Sequence, residues 1–132
     1  MEIRVIASIW GSEFADVFVR WSLPSLLSQG NQKNVVAQGH RISFYVYSDT
    51  ANLECIRASA SNASLDREEF KLLDIAATLF KGKPLDAGVK SPEGLIDTHE
   101  LQSRCYMHGM EQKLDGEVVF LFWTAEIKNF IS

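Results

Sequence analysis

Cysteine is scarce in this 132-residue chain: only Cys55 and Cys105 occur, far apart. They form no CxxC pair, which excludes a disulfide framework and a cysteine-rich zinc site. Two free thiols fit a reducing compartment, so the expected location is the cytoplasm. Long apolar runs are missing as well. None approaches the ~20 residues that cross a bilayer, and Glu2 and Arg4 interrupt the first apolar stretch where a secretory signal would need continuity. No membrane partner is expected. Positive charge is in deficit: 13 Lys and Arg against 17 Asp and Glu give a formal charge of −4. Nucleic acid is therefore not an expected partner, because phosphate binding needs a concentrated basic surface. The densest basic stretch, Lys81-Gly82-Lys83, reads as a solvated turn. Also lacking are Asp-x-Asp, HExxH, a P-loop lysine motif and GxSxG. No catalytic residue, metal site or cofactor is assigned on these grounds.

What is present is an alternation of strands and helices over a length that suits one domain, residues 1–132. Ile3 to Ile9 is β-branched and mostly apolar, the pattern of a strand buried on both faces. Ser12 then caps a helix with Glu13 and Asp16 in its first turns. Phe14, Val17, Phe18 and Trp21 recur at i, i+3, i+4 and i+7, which predicts one apolar face. Pro24 should kink or end that helix near Leu23. Residues 31–40 are polar and loop-like, and Ile42 to Ser48 is a second strand. A short helix starts near Ala51, and the small polar stretch Ala58 to Ser64 reads as a loop.

Phe70 to Ile75 is a third strand. The segment 82–94, with Pro84, Gly88, Pro92 and Gly94, is a long excursion. A helix follows from about Asp97 to Leu114. Met107, Met110 and Leu114 line one side of it, and Leu101, Cys105 and His108 nearly the opposite side. Val118 to Trp123 is a continuous apolar run, expected as a central strand buried on both faces. The rhythm is that of an open, mainly parallel α/β sheet in a three-layer α/β/α sandwich.

In such sheets ligands bind beyond the carboxyl ends of the strands. That places Ser8, Trp10, Gly11, Ser48, Asp49, Thr50 and Glu126 together as candidate ligand-binding residues. Trp10 offers an aromatic face, Gly11 close backbone approach, and Asp49 a carboxylate for a ribose. Each also has a sufficient local role: Trp10 in the core, Gly11 in a turn, Asp49 as a helix cap. Cys105 and His108, at i and i+3, share a helix face. They read as two metal ligands, a thiol–imidazole pair, or a packed thiol beside a hydrogen-bonded histidine.

Trp10-Gly11-Ser12-Glu13-Phe14, Phe18, Leu23-Pro24-Ser25-Leu26-Leu27 and Gly30-Asn31 together resemble the opening of a group of bacterial glycosyltransferase-like proteins with a nucleotide-diphospho-sugar transferase (GT-A type) fold. Phe44 to Ser48 with Ile56, the helix around Met107-His108, and the strand Val119-Phe120-Leu121 are similar to later elements of that group. The resemblance covers most of this chain but only the front half of such an enzyme. It implies a truncated transferase-like fold and a nucleotide-sugar cleft.

Enzymes of this kind hold a divalent metal with an acidic motif just after the strand equivalent to 118–123. This chain reads Phe122-Trp123-Thr124-Ala125-Glu126 there, with Glu126 as the one carboxylate. The expectation is a non-catalytic ligand- or partner-binding domain. The alternative is a transferase using a nucleotide-sugar donor, completed by a partner subunit and needing a divalent metal. Truncation would leave an open edge or uncovered face. A homo-oligomer is therefore expected, with Leu101, Cys105 and His108, or Ile127, Phe130 and Ile131, between subunits.

Overall fold

The computed structural model describes residues 1–10, 12–26, 37–62, 70–80, 98–114 and 116–124. The described residues form four strands: β1 (Glu2–Ile9), β2 (Arg41–Ser48), β3 (Phe70–Asp74) and β4 (Val118–Thr124). All neighbours pair parallel, in the order β3-β2-β1-β4. The chain thus steps outward from β1 to β3, then returns to the other side of β1. The helices are α1 (Ser12–Val17), α2 (Leu23–Leu26), α3 (Leu53–Asn62), α4 (Ile75–Leu79) and α5 (Thr98–Glu111). Among the described residues no helix is long and apolar enough to cross a membrane.

Alternation along the central strands sends side chains into two cores. Val5, Ala7 and Ile9 join Phe44, Val46, Phe18, Leu23 and Ile56 on the face of α1, α2 and α3. Ile6, Tyr45 and Tyr47 join Trp10, Ile75, Phe80, Leu101 and Cys105 on the face of α4 and α5. Apolar residues at successive positions are needed because both faces are covered, which is why β1 and β2 show so little polar alternation.

α5 lies very close to β1. A Cβ on Gly109 would stand 2.9 Å from Ile6 Cδ1, so only glycine lets the helix settle at this distance. Below that contact, Arg4 enters the core with 1 % exposure. Its guanidinium donates to both carboxylate oxygens of Glu2, at 2.7 and 3.3 Å. It also donates to the carbonyls of Gly109, Gln112 and Lys113 at 2.9, 3.1 and 2.6 Å. Arg4 therefore satisfies the otherwise orphaned carbonyls at the end of α5 while neutralising a buried carboxylate.

Several expectations are corrected. Pro24 does not end its helix. The turn before it widens into a π-helical segment, Phe18–Ser22, in which the Leu23 amide donates to the Phe18 carbonyl, and α2 follows. The wide turn absorbs the conflict between the proline ring and the preceding turn. It also shifts the helical face: Ala15, Phe18 and Leu23 are buried, while Trp21 is 72 % exposed. The stretch from Ala58 is helical to Asn62, because α3 continues into it.

β4 is not a central strand among the described residues. It borders only β1, and Val119, Leu121 and Phe122 stay 42 %, 50 % and 47 % exposed. The third strand ends at Asp74, whose carboxylate accepts from the Ala76 amide and starts α4. The segment 82–94 lies outside the described residues.

Candidate functional site

The strand order reverses at β1, since the chain leaves it toward β2 and arrives on its far side at β4. Connections that diverge in this way leave a crevice above the carboxyl ends of the two strands. The register aligns the last residues around it. Ser8 pairs with Tyr47 and Thr124, Ile9 with Ser48, and Ser48 with Asp74. Four of the candidate ligand-binding residues therefore lie along this edge or just past it: Ser8, Ser48, Asp49 and Thr50.

Their chemistry differs. Ser8 is fully buried, and its Oγ has no hydrogen-bond partner among the described residues. An unpaired buried hydroxyl carries a desolvation cost of roughly 1–3 kcal/mol. Ser48 Oγ donates to Asp49 Oδ1 at 3.3 Å. Asp49 accepts two bonds from Asn52 Nδ2, at 2.9 and 2.8 Å, and so holds the 3-10 turn Thr50–Asn52. Thr50 Oγ1 donates to Asp74 Oδ2 at 2.8 Å, which joins the ends of β2 and β3.

Asp74 belongs to this edge although the sequence reading left it out. Its signal was available, since an Asp before Ile75-Ala76 at the end of a strand is a cap pattern. Asp49 and Asp74 both serve turns that shape the rim.

Trp10 sits elsewhere. It is buried in the core with Leu101 and Phe80, so its ring offers no open stacking face. Gly11, Glu126, Ile127, Phe130 and Ile131 lie outside the described residues.

The expected subunit contact through Leu101, Cys105 and His108 is also corrected. Leu101 and Cys105 are completely buried against the sheet of their own chain. His108 is half-buried, with Nδ1 2.6 Å from Tyr47 Oη and the two rings edge to face. The face that would have met another subunit is the face that closes this domain. Burial pushes the Cys105 thiol up to about 12. Burial, with Cys105 and Tyr45 beside it, also raises the Tyr47 hydroxyl well above the usual tyrosine range. Both groups stay protonated near neutrality, so neither is an activated nucleophile. Among the described residues no cluster of three His, Cys, Asp or Glu side chains could hold a metal ion.

Comparison with protein-family models, curated proteins and solved structures finds no match to this chain.

Proposed function

We propose that this chain is a binding domain that takes a polar small molecule, of the nucleotide or nucleotide-sugar class, over the carboxyl ends of β1, β2 and β4. The observation that carries this reading is the reversal of strand order at β1, the place where open parallel sheets receive ligands. The unpartnered, buried Ser8 hydroxyl on the last shared rung with Thr124 supports it. Ser8 supplies hydrogen-bonding capacity that nothing among the described residues uses. Asp49, Thr50 and Asp74 stiffen the rim beside it.

A binding role is favoured over catalysis because the buried Cys105 is held as a thiol, and the rim carboxylates are already engaged, Asp49 by the Asn52 side chain and Asp74 by the Ala76 amide. The transferase reading rests on the Trp10–Asn31 resemblance. It would add Glu126 and a divalent metal to the same cleft.

Thermal unfolding with UDP-, GDP-, CMP- and dTDP-sugars, with and without manganese, tests the proposal. Ligand at a hundred times its Kd adds about 2.7 kcal/mol, a shift of several degrees in a domain this size. A metal-independent shift with one of them supports binding. A shift that requires manganese and vanishes in Glu126→Ala favours the transferase. No shift with any member of the panel removes both.

A further inference from the structure

We draw no further inference here: the strongest candidate, the outer edge of β4 with the exposed apolar surface that runs from Leu121 and Phe122 to Met107 of α5, carries none because nothing among the described residues shows what covers it.

Discussion

Arg4 Nη1 donates to the carbonyl of Gly109 at 2.9 Å, across 105 positions of sequence. The contact joins the first strand to the end of the last described helix, and the same guanidinium holds the buried Glu2 carboxylate. The amino end of the sheet is thereby closed by an ionic and hydrogen-bonded plug. At the opposite end the Ser8 hydroxyl has no partner among the described residues. The plug and the proposed binding edge thus lie at opposite ends of the same strand.

Replacing Arg4 with Met leaves Glu2, among the described residues, with only the exposed Arg41 as a charged partner, at 2.8 Å, and strips three carbonyls of their donor. Breaking one side of a buried pair costs about 3–5 kcal/mol. Urea denaturation should show a loss of that order, and Arg4→Lys should recover little because an ammonium cannot make the fork. A loss below about 1 kcal/mol, the scale of an exposed pair, would contradict the assigned role.

Acid should act through the same plug. Burial alone would raise the Glu2 carboxyl. Hydrogen bonds from Arg4 and Arg41 outweigh burial and hold it below the ordinary value. A carboxyl depressed in the folded state contributes stability above its unfolded pKa of about 4.3, and that contribution is lost as pH falls through the lower folded value. Urea midpoints should therefore stay level with respect to Glu2 from neutrality to about pH 5 and decline below it. Glu2→Gln should start from lower stability and decline less steeply. Equal slopes in the two proteins would place the acid sensitivity elsewhere.

The approach of α5 to β1 can be probed at its closest point. Gly109→Ala pushes a methyl toward Ile6 Cδ1 and should destabilise by about 1–3 kcal/mol, the range for overpacking a filled core. Ile6→Val removes Cδ1, so the double variant should lose less than the sum of the singles. Strict additivity would mean that the helix shifts away from the strand instead.

Thiol titration should separate the two cysteines. Cys55 is exposed and should react within the ordinary time of a free thiol, whereas buried Cys105, pushed up to about 12, should react only on unfolding. Two equally fast thiols in the native protein would show that α5 opens readily from the sheet.

Much of this architecture is legible in the residues, for an identifiable reason. Unbroken apolar runs mark strands, and the bounds of β1, β2 and β4 follow those runs within a residue or two, although only β1 and β2 are buried on both faces. The misreadings arise where one local pattern has two tertiary outcomes. Val118 to Trp123 has the composition of a central strand, yet composition does not count neighbours, and among the described residues β4 borders only β1. The spacing from Phe14 to Trp21 assumes 3.6 residues per turn, and the π-turn ahead of Pro24 breaks that period. For α5 the sequence offered two apolar sides, and only packing decides that Leu101 and Cys105 face the sheet while Met107 faces outward.

The candidate site was legible in part. Ser8, Ser48, Asp49 and Thr50 reach the carboxyl edge because they follow the apolar cores of their strands. Trp10 carries two readings in the sequence, a stacking face and a core residue, and the core reading holds because a large apolar ring one residue past a strand packs inward when a helix is there to cover it. That the Ser8 hydroxyl has no partner among the described residues, by contrast, could not be read from spacing, since its neighbours Tyr47 and Thr124 come from distant parts of the chain.

The most direct test of a ligand site at the strand reversal is a 1H–15N correlation spectrum titrated with the nucleotide-sugar panel. The expected result is a saturable set of shifts at Ser8, Ile9, Ser48, Asp49, Thr50 and Thr124, with the amides near Glu2 and Arg4 unmoved. Saturable shifts gathered at the amino end of the sheet, or no shifts with any member of the panel, would contradict the account.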